Sequence, residues 1–99
     1  MGKLVRDKIP DIIRRSGRTP VVSVLDETDY RAALIAKLFE ESTELSEAGH
    51  DEVAAEIGDV LEVLRALAAA HGYGWDDIER IADAKRDERG AFADRLYLG

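Results

Sequence analysis

The chain contains no cysteine. That one absence excludes disulfides, thiolate metal ligands and cysteine nucleophiles. Long hydrophobic runs are missing too. Uninterrupted apolar stretches such as Ala66 to Ala70 are far too short to span a bilayer, and the N-terminus lacks the apolar core of a signal peptide. The expectation is a soluble, cytoplasmic protein with no membrane partner. Histidine is scarce, with His50 and His71 the only two. Glu47-Ala48-Gly49-His50 has the Glu-x-x-His spacing of a di-iron carboxylate bundle, but that architecture needs the motif on two helices, and His71 has Ala68 at the same spacing. No P-loop, dinucleotide fingerprint, HExxH helix or GxSxG elbow occurs. Ser42 and Thr43 have no histidine at helical spacing, so neither hydroxyl has a base to activate it.

Basic charge is scarce in one region. Residues 26–62 hold twelve acids against Arg31 and Lys37 alone, a local balance of −10 in a chain whose net charge is −7. Residues 1–18 carry Lys3, Arg6, Lys8, Arg14, Arg15 and Arg18 against Asp7 and Asp11, a balance of +4. A duplex-binding protein presents a broadly basic face, so duplex nucleic acid is not an expected partner. An acidic body with a basic arm suits a metal site beside a patch for anionic groups.

Ninety-nine residues make one small domain, residues 1–99. The hydrophobic content of 45% includes 14 alanines, which bury little area each, and so small a core predicts oligomerisation. Pro10 suits the first turn of a short helix over Asp11–Arg15, ended by Gly17. Val21–Leu25 is β-branched and predicts a short extended N-terminal segment, a strand or only a strap. Asp26, with Asp29 three residues on, predicts an N-cap for a helix reaching about Ala48. Gly49-His50 breaks the pattern. A second long helix is expected from about Asp51 to His71, ended by Gly72-Tyr73-Gly74. A third starts near Trp75, with Asp76 and Asp77 in its first turn, and stops at Gly90. Phe92, Leu96, Tyr97 and Leu98 in the tail are expected to pack. Tyr73 and Trp75 read as helix-end packing more readily than as a platform for a base. The class is all-α: an antiparallel helical hairpin plus a third helix, in a bundle completed by oligomerisation.

Two acidic clusters stand out within the hairpin, Glu40-Glu41-x-x-Glu44 and Glu56-x-x-Asp59. Glu44 and Glu56 each lie six residues from His50, and Glu41 and Asp59 each lie nine. A turn there brings the four carboxylates level. At about 100° per residue from Leu34, Glu41 falls near −20°, inside the apolar stripe of Leu38 and Leu45, with Glu44 on its edge and Glu40 on its shoulder. With Val53 at zero, Glu56 and Asp59 fall near about −60° and −120°, on a flank otherwise made of Val63, Ala66 and Ala70. Desolvating unpartnered carboxylates costs several kcal/mol each. Pairing with Arg31 or Lys37, protonation, or a bound cation can offset that cost. All-oxygen donors without Cys or His favour Mg²⁺, or Mn²⁺ in its place.

In the third helix, Ile78, Ala82, Lys85, Arg89 and Phe92 share a face, so two bases lie along the expected packing line. They either hold phosphates or complement the helix dipole. Lys3, Arg6 and Lys8 have the same two readings, phosphate clamp or pairing with the acidic body.

Phe39-Glu40-Glu41-Ser42-Thr43-Glu44 followed by Glu56-Ile57-Gly58-Asp59 resembles the EExxE…ExxD signature of the MazG-like all-α nucleoside triphosphate pyrophosphohydrolases. Lys3-Leu4-Val5-Arg6-Asp7-Lys8-Ile9-Pro10 and Lys85-x-x-x-Arg89-Gly90-x-Phe92 are similar to the short phosphoribosyl-ATP pyrophosphohydrolase-like branch, and the likeness covers nearly the whole chain. The resemblance implies a Mg²⁺-dependent, house-cleaning type of hydrolase. It would cleave the α–β phosphoanhydride of a nucleotide to a monophosphate and pyrophosphate. By position, Glu41, Glu44, Glu56 and Asp59 would hold the metal. Glu40 would lie behind them or orient the attacking water. Lys85 and Arg89, with Lys3, Arg6 and Lys8, would hold phosphates. The family implies a homodimer or a dimer of dimers. The alternatives are phosphoribosyl-ATP hydrolysis in histidine biosynthesis and a non-catalytic nucleotide- or metal-binding regulator. Gly58 inside a helix costs about 1 kcal/mol relative to Ala, which predicts that another helix approaches closely there.

Overall fold

The computed structural model describes residues 2–99. It contains four helices, α1 (Ile9–Arg15), α2 (Glu27–Glu47), α3 (Val53–Ala70) and α4 (Trp75–Arg89), and no strand among the described residues. The boundaries follow from local chemistry. Asp26 caps α2 by accepting a hydrogen bond from the Asp29 N–H at 2.8 Å, satisfying one of the donors a helix start leaves free. Pro10 lies in the first turn of α1, where its missing N–H is no loss. That helix begins two residues earlier than the sequence predicts. Asp51 and Glu52, expected in the second long helix, belong to the preceding turn instead, where the Glu52 N–H donates to the Gly49 carbonyl at 2.9 Å. At the end of α3, Gly72 adopts φ +84°. The Tyr73 N–H then reaches the Ala68 carbonyl and the Gly72 N–H the Ala69 carbonyl, the paired closure that glycine permits after a helix.

That closure leaves the Ala70 carbonyl free, and Arg31 takes it. Its Nε and Nη2 donate to that oxygen at 3.1 and 2.8 Å, while Nη2 also meets Glu27 Oε1 at 2.7 Å. The first turns of α2 are thereby pinned to the last turn of α3, and the two helices run side by side in opposite directions. They form the main packing pair, with α4 lying against α3 alone.

The core is thin. Leu34, Val63 and Ala68 are its buried hydrophobic residues, and Glu41 is buried with them. The sequence clusters Val53, Val60, Leu64 and Leu67 on one apolar face of α3. In the structure Leu64 is exposed, and it lines an apolar cleft of about 320 Å³ with Leu67, Ala68, His71, Tyr73, Trp75 and Ile78. Arg65 lies over the Trp75 ring, 5.6 Å from its centroid, so that Trp75 is engaged within the chain.

Three expectations are corrected. Phe92, Leu96, Tyr97 and Leu98 do not pack, each being 89–102% exposed, because α4 offers no buried face for the tail to lie against. Lys85, Arg89 and Phe92 lie on an exposed surface of the chain, not on a packing line. A Cβ built at Gly58 meets nothing within 4 Å, so no helix of the same chain approaches there. Residues 18–25 carry no regular structure, and Val21 and Val24 are almost fully exposed: a strap, with no strand to pair with. No helix among the described residues is long and apolar enough to cross a membrane.

Replacing Arg31 by Ala is expected to destabilise the hairpin by about 1–2 kcal/mol, since it leaves a helix-end carbonyl without its charged donor. Urea unfolding monitored by circular dichroism measures the difference.

Candidate metal centre

Opposite directions and a tight turn at Gly49 place α2 and α3 so that Glu41, Glu56 and Asp59 converge. Each offers a carboxylate oxygen, and these three atoms lie within 4.8 Å of one another. Glu41 is the buried member, 8% exposed, while Glu56 and Asp59 are half-buried. One oxygen of Glu41 (Oε2) and one of Glu56 (Oε2) are sealed from solvent without any hydrogen-bond donor. Buried oxygens with no donor are rare in native proteins and call for an ion, a water or a function. These are hard anionic oxygens converging on one point, and a divalent cation such as Mg²⁺ or Mn²⁺ is the partner such a donor set accommodates.

Glu44, the fourth predicted ligand, is exposed on the same side of α2. It stands outside the group of three but within its field. The adjacent Glu41 carboxylate, first by hydrogen bonding and then by charge, raises the Glu44 pKa, and Glu56 and Glu40 add to the effect. Desolvation is the main cause that raises Glu56, with the charges of Asp59, Glu41 and Glu52 behind it. Glu40 is pulled the other way. The hydrogen bond from Lys37 leads in lowering its pKa, with burial opposing and Lys3 assisting.

Cations ring the cluster. Lys37, one turn before the acids, reaches Glu40 Oε2 at 3.2 Å and Glu41 Oε1 at 3.4 Å. Burial works to lower the Lys37 pKa, but the hydrogen bond to Glu40 and the charges of both glutamates outweigh it and hold the pKa above its usual value. The sequence offers Lys37 as one of two possible pairing partners for the acids, and the structure makes that pairing. Its i, i+3 and i, i+4 spacing to Glu40 and Glu41 was the available signal. Lys3 Nζ stands 3.6 Å from Glu40 Oε1, and Arg6 Nη2 donates to Asp59 Oδ1 at 2.9 Å. Two of the three N-terminal bases therefore reach the acidic site. Lys8, Lys85 and Arg89 are exposed and form no ion pair with any described residue.

Comparison with known proteins yields one relative. Over 58 residues the chain is 53% identical to an uncharacterized protein of Mycolicibacterium smegmatis, a stretch covering 59% of this chain and 59% of that protein. No family model matches the chain, and no solved structure matches it. The functional reading therefore rests on the site's geometry and on the resemblance of its motifs.

The raised pKa values give a pH signature. A carboxyl whose folded pKa lies above its ordinary 4.5 holds its proton more tightly folded than unfolded. Its penalty on the fold is absent below the ordinary value, grows between the ordinary and the raised value, and is complete above the raised one. Metal-free protein is thus expected to melt at higher temperature as pH falls from neutrality through the raised values towards 4.5. The Glu56→Gln variant should flatten that rise, and saturating Mg²⁺ should remove it. Melting curves across pH, with and without the cation, make the comparison.

Proposed function

We propose that the chain is a Mg²⁺-dependent nucleotide pyrophosphohydrolase, cleaving the α–β phosphoanhydride of a nucleoside triphosphate to a monophosphate and pyrophosphate. The observation that carries the reading is the convergence of Glu41, Glu56 and Asp59 within 4.8 Å, with two buried oxygens lacking any donor. The likeness of the two acidic motifs to the MazG-like signature supplies the reaction.

In this reading Glu41, Glu56 and Asp59 hold the cation, and Glu44 adds a carboxylate at the rim. When bound, the ion polarises phosphoryl oxygens and acidifies water. Glu40, clamped between Lys3 and Lys37, has a pKa below the ordinary carboxylate value. It therefore makes a weak base but a fixed acceptor, suited to orienting an attacking water. Lys3 and Arg6 stand beside the acids, where anionic phosphate oxygens would meet them, and cationic donors at that place stabilise charge on a departing pyrophosphate. Lys8, Lys85 and Arg89 complete the phosphate-binding proposal only through a rearrangement or a second subunit.

Glu41→Ala and Asp59→Ala should each lower Mg²⁺-dependent pyrophosphate release at least about 100-fold, the loss expected when several kcal/mol of charge stabilisation disappear. A panel of nucleotides assayed for monophosphate and pyrophosphate measures this. Activity that survives both substitutions places the site elsewhere. Nucleotide binding without turnover would make the chain a regulator.

We further infer that the working form is a homodimer or a dimer of dimers. The chain exposes 8549 Å², whereas a compact monomer of 10.9 kDa exposes about 5,600 Å². Its radius of gyration is 17.0 Å against about 13 Å for a compact domain of this length. The excess of about 3,000 Å² is ample for an obligate subunit interface. Ile35 and Phe39 on α2, with Ile57 and Leu64 on α3, are exposed apolar side chains that such an interface would cover. Sedimentation equilibrium should give at least twice the monomer mass, and Phe39→Lys should shift it towards monomer with loss of helix.

A further inference from the structure

The N-terminal segment bridges the acidic site. Its two bases hold different helices: Arg6 bonds Asp59 of α3 at 2.9 Å, and Lys3 lies 3.6 Å from Glu40 of α2. The segment from Gly2 to Arg6 has no helical or strand structure, so side-chain contacts set its position across the two helices.

We propose that residues 2–8 form a latch released by a divalent cation, in which Arg6 serves as the counter-ion of Asp59 until the cation takes that carboxylate. The proposal rests on the reading of Glu41, Glu56 and Asp59 as a cation site. Five carboxylates (Glu40, Glu41, Glu44, Glu56 and Asp59) face three cations (Lys3, Arg6 and Lys37), so the site retains negative charge with every base in place. The three bases differ in how firmly they are held. Lys37 is 16% exposed, is fixed on α2 and pairs with two glutamates. Arg6 is 56% exposed, stands on an irregular segment and pairs with Asp59 alone. A dication among Glu41, Glu56 and Asp59 repels every neighbouring base; Lys3 and Arg6 can both leave with their irregular segment, and of these two Arg6 is the one that pairs with a carboxylate of the trio.

Arg6 and the incoming cation therefore compete for the same carboxylate. An exposed ion pair of this kind contributes little, and its loss corresponds to roughly two- to five-fold in cation affinity. The competition gives the latch a direction. Without cation, Arg6 closes over Asp59 and shields the cluster. With cation bound, its guanidinium swings out at the mouth of the site, where it is available to an anionic ligand as a planar, multiply donating group.

Titration calorimetry with Mn²⁺ alone tests the proposal on the full chain, its Arg6→Gln variant and its Arg15→Gln variant. Arg15 is an exposed base on α1 without an ion pair, so it reports the effect of net charge. Arg6→Gln should bind Mn²⁺ about two- to five-fold more tightly than the unaltered chain, and Arg15→Gln should bind as the unaltered chain does. Brief trypsin treatment, read by mass spectrometry, gives a second measure. Mn²⁺ should speed cleavage after Lys3 in the unaltered chain. In Arg6→Gln that cleavage should already be fast and insensitive to Mn²⁺. Equal or weaker Mn²⁺ binding by Arg6→Gln overturns the latch, as does an equal gain in Arg15→Gln. Mn²⁺ binding to none of the three proteins overturns the cation site and the latch with it.

Discussion

The structure depends on like charges held in the seam between two helices. Glu41 occupies a position where a packing helix would carry an aliphatic side chain, and it is the buried charged residue of a core otherwise made of Leu34, Val63 and Ala68. Facing it on α3 are Glu56 and Asp59. Repulsion at this point works against the pairing of α2 with α3, so the hairpin must be secured elsewhere. At one end the Gly49 turn joins the helices covalently. At the other, Arg31 ties the start of α2 to the last carbonyl of α3. Between these two restraints the carboxylates are held together despite their charge. Preorganisation of this kind suits a cation site, because the cost of assembling the ligands is met by the fold before the ion arrives.

The surrounding bases divide the acids into two sets. Glu40 takes a lysine on each oxygen and is held below the ordinary carboxylate pKa, whereas the Glu41 carboxylate raises Glu44 and desolvation, with neighbouring carboxylates behind it, raises Glu56. One short stretch of α2 thus presents a fixed anion beside groups that retain protons more readily. Environments that push neighbouring pKa values apart are a mark of sites that handle charge and protons. Lys37 sets much of this division, since it satisfies Glu40 and one oxygen of Glu41 yet leaves Glu41 Oε2 without a donor.

Helix order, the start of α2 and the ends of α3 and α4 were legible in the sequence because single residues determine them: Asp26 as a cap, Gly72 and Gly90 as stops. Each acts within a few residues of itself, so no knowledge of tertiary packing is needed. The starts of α1 and α3 each fell two residues from expectation. The approach of Glu41 to Asp59 and Glu56 was legible in part, since two helices joined by a short turn have one register and the spacing about His50 indicates it, but Glu44, expected level with Glu56, stands outside the group. The face of α3 that meets α2 was not legible. Glu56, Asp59 and Val63 lie on that side, while the more apolar stripe through Leu64 faces a cleft and solvent, so a rule that buries the greasiest face selects the wrong side. The tail was misread for the same reason: Phe92, Leu96, Tyr97 and Leu98 are apolar, but apolar residues bury only where a surface awaits them. The Arg6–Asp59 pair joins residues 53 positions apart, a separation that local pattern does not encode.

The hairpin therefore carries its acids inward and much of its apolar surface outward. For an isolated chain that arrangement is doubly unfavourable, with charge desolvated inside and hydrocarbon hydrated outside. Both costs fall if each face meets its complement. The carboxylates gain a dication, and Ile35, Phe39, Ile57 and Leu64 gain a second copy of the same helices. The open space at Gly58 gains meaning in this setting, since a helix position without a side chain lets a neighbouring backbone approach closely. In the proposed assembly, subunit pairing and cation binding stabilise the same two helices from opposite sides. Either event should then make the other more favourable, because each holds α2 and α3 in the register the other requires.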